Sequence, residues 1–253
     1  MSGGARRHLS RLSRALARRA LLAVCLWHAG TAGAGERITA AGYAGPTSEY
    51  PHGVLGDAVE WKTLRVTAGN RVFEITAGDG RVFEDVAPRL WDITGDGEPE
   101  VVAVESDARL GARLVIYTLD QDGLRELAAT PNIGTRFRWL APVGAADLDG
   151  DGHTEIAWVD RPHLAKTLRI WRWKTGSFEQ IARYPGVSNH RIGEDFISGG
   201  LRDCGAGPEM VLADAPWRGI LALRLEDGVV SATPVAPFEG PESFEAALSC
   251  TPA

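Results

Sequence analysis

The chain has 253 residues, 44% hydrophobic and 24% charged, with a formal net charge of −6. Six arginines and no acid stand before Glu36, so taking their six charges from −6 leaves a formal −12 for residues 35–253, which argues against a binder of nucleic acid or anionic membranes and suits cation binding. No run after residue 34 is apolar for long enough to cross a bilayer as a helix.

The first segment has the order of a secretory signal. Arg6, Arg7, Arg11, Arg14, Arg18 and Arg19 precede an apolar run over residues 20–27 and then Ala32-Gly33-Ala34, and cleavage is expected after Ala34. Leu22-Ala23-Val24-Cys25 approaches a lipoprotein box, but Val24 stands where a small residue is needed. Arg18-Arg19 is followed by a poor match to a twin-arginine signal. Residues 35–50 are read as an extension and residues 51–253 as one folded domain.

Beyond the signal, short β-rich runs alternate with Gly, Asp and Pro turns, and no long segment keeps apolar residues at helical spacing. The fold class is therefore all-β. Val101-Val102-Ala103-Val104, Leu114-Val115-Ile116-Tyr117, Thr167-Leu168-Arg169-Ile170-Trp171 and Ile220-Leu221-Ala222-Leu223 are the clearest strands. They belong to units of about 50 residues with four strands each, the pattern of propeller blades, which bury their faces only against neighbours. Units run over residues 81–129, 137–181 and 194–235. Residues 243–250 align with the first strand of a unit, while Val54-Leu55, residues 61–66 and residues 71–75 resemble strands two to four. Pairing of the chain ends would then close a small β-propeller of four antiparallel blades and hide its sheet edges. A two-sheet sandwich is the competing architecture, although sandwiches seldom repeat at this interval.

Two loops inside the repeat carry the chemistry. Asp147-Leu-Asp149-Gly-Asp151-Gly-His153-Thr-Glu155 sets carboxylates at alternate positions of a glycine-permitted bend, and Asp92-Ile-Thr94-Gly-Asp96-Gly-Glu98-Pro-Glu100 repeats it. A hard cation such as Ca²⁺ takes six to eight oxygens, which this spacing can gather. Asp147, Asp149, Asp151 and Glu155 would supply side-chain oxygens and His153 its carbonyl. Asp92, Thr94, Asp96 and Glu100 would do the same with the carbonyl of Glu98, and neutral Thr94 makes that site the weaker. One or two calcium ions are expected. An EF-hand fails, because its twelfth position would be Ala103 or Trp158 and a strand follows. The competing structural reading is a pair of polar turns whose Asp and Gly serve backbone geometry alone.

This Asp-x-Asp-Gly-Asp-Gly-x-x-Glu loop leading into a short apolar strand resembles the FG-GAP or VCBS type repeat, related to the blades of integrin α-chain propellers. The resemblance implies calcium between the first and second strands of a blade, at the positions just named. The third unit departs from it, with Leu201, Asp203, Gly205 and Ala206 where ligands would stand, so that loop is expected to be metal-free. Cys204 lies in this loop and Cys250 at the matching point of the expected closing strand. They are an even pair in an exported chain, and a disulfide between them would fasten adjacent blades.

The remaining candidates are weaker. His52, His153, His163 and His190 have no metal spacing, and no catalytic motif is present. His52, Asp57, Glu105 and Asp195 lie near strand ends where they would line a central site, though each also fits a turn or surface role. Trp61, Trp91, Trp139, Trp158, Trp171, Trp173 and Trp217 read mainly as blade-to-blade core. The expected function is a non-catalytic, monomeric, exported (periplasmic or extracellular) interaction or scaffold module for a protein or glycan partner. The alternative is a small propeller hydrolase or lyase, which a convergent cluster of His, Asp and Glu would favour.

Overall fold

The computed structural model describes residues 36–250; the signal segment and Cys25 lie outside the described residues. Chain order begins with a three-strand meander, β1 (Ile38–Thr47), β2 (Glu60–Ala68) and β3 (Arg71–Thr76). It continues with β4 (Arg81–Phe83), β5 (Arg89–Trp91), β6 (Glu100–Asp107), β7 (Gly111–Asp120) and β8 (Gly123–Ala129). A second group is β9 (Leu140–Ala146), β10 (Glu155–Asp160), β11 (Thr167–Lys174) and β12 (Ser177–Pro185). The third is β13 (Val187–Ser188), β14 (Gly200–Asp203), β15 (Pro208–Asp214), β16 (Gly219–Glu226) and β17 (Val229–Pro237), followed by helix α1 (Glu242–Leu248).

All strand pairs are antiparallel, and the groups repeat one plan. In the first group β4 and β5 share one edge of β6, and in the third β13 and β14 share one edge of β15, so the first strand of each is interrupted where β9 is continuous. The pairing of the last two strands shifts register at Ile116/Tyr117, at Ile170/Trp171 and at Ile220/Leu221. A bulge at the same place in every unit adds the same local twist to each sheet.

The second strands explain why the units stack. β6 and β10 are buried along their whole length, so neither shows the alternation of a half-exposed strand. Successive side chains point to opposite faces. Val102 and Val104 therefore meet Trp139, Leu140, Ile156 and Trp158 of the second unit, while Val101 and Ala103 meet Leu64, Val66 and Phe83. Ala157 and Val159 likewise face Met210 and Leu212, and Val211 and Ala213 face Phe244 and Ala247 of α1. The stack thus runs from the N-terminal meander through three units to the helix.

Two expectations are corrected at the ends. Residues 243–250, aligned with a first strand, instead hold most of α1 and the turn after it, because Phe244, Ala247 and Leu248 fall at helical spacing and cover the outer face of the third sheet. Pairing of N- and C-terminal strands is accordingly not formed among the described residues. The N-terminal meander joins the first unit through β4, whose Phe83 pairs with both Trp61 and Glu105. Val54-Leu55 is a turn, and β1 supplies the strand partner of β2.

Candidate functional site

The loops between first and second strands are organised by their first aspartate. Asp147 Oδ1 accepts the N–H groups of Gly150 (2.8 Å) and Asp151 (3.0 Å), and Oδ2 accepts that of Gly152 (2.9 Å). Asp92 does the same for Gly95 (2.7 Å) and Gly97 (2.9 Å), and Asp203 for Gly205 (2.8 Å) and Gly207 (3.1 Å). Gly150 and Gly152 have φ of 78° and 86°, a conformation that glycine adopts without strain. The closing glutamate clasps the loop from the strand: Glu155 Oε2 accepts from Leu148 N (2.8 Å), and Glu100 Oε2 from Ile93 N (2.8 Å) and Thr94 N (3.2 Å). Burial pushes both carboxyls up in pKa, opposed at Glu155 by the Arg172 guanidinium and at Glu100 by these amides.

Asp147, Asp149 and Asp151 each bring a carboxylate oxygen within 4.8 Å of the others. Asp149 Oδ1 is buried with no hydrogen-bond partner. Three convergent carboxylate oxygens are a set that could hold a metal ion. The strand opposite supplies something absent from the sequence reading: Arg172 pairs with Asp149 (2.6 Å), Asp151 (2.7 Å) and Glu155 (2.6 Å). The loop therefore holds an internal cation, and Glu155 clasps it. His153 is exposed, with its N–H on Asp151 Oδ1 at 3.0 Å.

The first loop differs. Thr94 Oγ1 donates to Glu100 Oε1 at 3.3 Å, Asp96 Oδ1 accepts from Glu98 N at 2.8 Å, and the Glu98 side chain pairs outward with Arg37 at 3.0 Å. The register that pairs Val101 with Tyr117 sets Thr118 where the second unit has Arg172. In the third unit Arg224 takes that place and binds Glu209 (2.8 Å), which Arg202 also holds (2.9 Å). Burial raises the Glu209 carboxyl pKa, but these two guanidiniums outweigh it and the net shift is downward. The loops at 92 and 147 thus carry four acids each, but only the second has an arginine among them, and the third keeps the arginine with fewer acids. The alternation Trp171-Arg172-Trp173 was the available signal for the arginine.

Cys204 and Cys250 are bonded. Because Cys250 follows α1, the bond fastens the helix to the third sheet, where the sequence reading had it join two blades. Of the four polar residues grouped around a central site, only His52 lines a cleft. Asp57 accepts Val59 N (2.9 Å), Glu105 is held by Arg81 (2.7 Å) and Arg113 (2.9 Å), and Asp195 is exposed. His52 instead meets partners the sequence did not show. Its Nδ1 lies 2.5 Å from Glu84 Oε1, and Ser106 donates to the other oxygen of this buried carboxylate. Nearby, His163 Nε2 lies 2.9 Å from His190 Nδ1, and His190 Nε2 lies 2.9 Å from the Glu194 carbonyl. A carbonyl accepts only, so His190 donates from Nε2 and accepts from His163. Burial lowers both imidazoles, His163 to about 4, with the neighbouring His190 and His52 adding to its shift.

Antiparallel four-stranded units repeated in series, each with an Asp-capped loop before its second strand, define a repeat protein built from blade-like sheets. Residues 92–158 match the FG-GAP-like repeat family, a stretch that spans both acidic loops and strands β6 to β10, so this part of the chain carries an FG-GAP-type repeat.

Proposed function

We propose that the protein is an exported, calcium-stabilised, propeller-type interaction module without catalytic activity, presenting its loops to a protein or glycan partner. The observation that carries this reading is the convergence of Asp147, Asp149 and Asp151 within 4.8 Å, with Asp149 Oδ1 buried and unpartnered. The FG-GAP-like match over both loops supports it, as does a disulfide, which persists in oxidising compartments. Bound calcium would neutralise the carboxylates and tie the loop to the second sheet. The loop at Asp92 would be the weaker site, since Thr94 contributes no charge.

Thermal melting in chelator and in calcium tests the reading. Affinity on the order of 10⁻⁴ to 10⁻³ M is expected, as for extracellular modules. Calcium a hundredfold above the dissociation constant would then add about 2.7 kcal/mol. Arg172→Leu removes the internal cation, so in chelator it destabilises by roughly 3 kcal/mol and enlarges the calcium-induced rise in melting temperature. An unchanged melting temperature in both proteins at that hundredfold excess of calcium would defeat the metal reading.

A further inference from the structure

A cleft of about 230 Å³ opens between the segments that carry His52, Arg138 and His163. Phe137, Trp139, Leu164 and Ile192 form its apolar side, and no carboxylate lines it. At its rim Leu164 and Ile192 are 65% and 73% exposed. The rings are held in order: His52 stacks on Phe137 with centroids 5.1 Å apart, and Trp139 meets His190 edge-on at 4.9 Å.

The charges around the cleft do not cancel. Glu84 answers His52, and Glu194 answers Arg191. Asp160 holds Arg161 through both of its oxygens (2.7 and 3.0 Å), and Arg169, which it also binds, lies outside the cleft. The Arg138 guanidinium donates to the Phe137 carbonyl (2.8 Å) and has no carboxylate partner among the described residues, so its charge is uncompensated in the cleft. An uncompensated guanidinium beside an apolar wall free of carboxylates is electrostatically selective for an anion. With Nδ1 committed to Glu84, His52 keeps Nε2 as its other ring nitrogen, a donor when protonated. Phe137 and Arg161, both in the wall, have φ of 55° and 46°, a conformation costly for non-glycine residues and concentrated at ligand sites.

We propose that this cleft binds a small organic anion: a carboxylate on an apolar ring or chain, its acid group toward Arg138, Arg161 and His52 and its body against Phe137, Trp139, Leu164 and Ile192. The site is independent of the calcium loops.

Isothermal titration of the intact protein with phenylacetate, phenylacetamide, benzylamine and inorganic phosphate tests this. Phenylacetate is expected to bind with a dissociation constant of about 1 mM or tighter, as its size allows. Phenylacetamide and benzylamine should bind at least about tenfold more weakly, and phosphate should not displace phenylacetate. Arg138→Gln should weaken phenylacetate about tenfold or more without moving the melting temperature, because Arg138 bonds only a neighbouring carbonyl. Ile192→Glu, at an exposed rim position that leaves the core intact, should weaken it likewise by placing an anion at the mouth. No saturable binding of phenylacetate, equal binding of the amide or the amine, displacement by phosphate, or unchanged affinity in both variants would overturn the proposal.

Discussion

Single side chains in this protein serve as internal ligands for backbone and charge. Asp147, Asp92 and Asp203 each gather loop N–H groups, so the aspartate that looks like a metal ligand also caps its loop. Asp203 makes such bonds from the position that Asp149 holds in the second loop, while Leu201 stands where Asp147 would be, so a loop can be capped without an acid at its first position. Glu60 shows the opposite situation, a buried carboxyl near Glu84, Asp57 and Asp85 whose pKa burial and these acids push up to about 9. The folded state holds that proton while the unfolded chain releases it above its ordinary value of 4.5, so stability from this group falls as pH rises from 4.5 toward 9. Glu60→Gln, which mimics the protonated form, is expected to gain up to about 3 kcal/mol at pH 7 and little at pH 4.5. Urea unfolding of both proteins at the two pH values reads the difference directly. Neither Glu60 nor the His52–Glu84 pair was legible in sequence, since their partners lie on other strands.

Among elements, legibility followed burial. β6 and β7 were visible because their runs over residues 101–104 and 114–117, buried throughout, are continuously apolar. α1 was misread because its seven residues are too few for periodicity to outweigh an alignment to earlier repeats. Leu201 has a packing role that spacing did not show. Placed by spacing where a metal ligand would stand, it lies over Gly144 of β9, where a Cβ would come 2.4 Å from its Cγ and 2.6 Å from its Cδ1. The contact joins the second and third sheets, so the third unit packs a leucine where an aspartate was sought. Gly144→Val is expected to cost about 1–3 kcal/mol through overpacking. Adding Leu201→Ala should recover part of that loss in thermal melts, whereas additive destabilisation would show that the clash is relieved elsewhere.

Residues 36–250 form a series of sheets stacked face to face, with different solutions at the two ends of the series. The N-terminal meander is drawn onto the first unit by Phe83, which packs with Leu64, Val66 and Tyr117. At the other end, α1 buries Phe244 and Ala247, and the Cys204–Cys250 bond closes a 46-residue separation. Replacing both cysteines by serine is expected to lower stability by at most about 4 kcal/mol, the loop entropy regained by the unfolded chain. Denaturant melts of the variant should match those of the wild type under reductant, and a variant unchanged from the oxidised protein would show that helix packing alone holds the end.

The sequence by itself determined the repeat, its all-β character and the two acidic loops, because these depend on residue type and spacing within a few tens of positions. Tertiary structure alone decided that Arg172 stands among those acids, that the last segment is a helix covering a sheet, and that His52, Arg138 and His163 border one cleft. Each of those depends on which strands and loops meet. That choice is made by burying apolar faces between units far apart in the chain, and it leaves no local pattern to read.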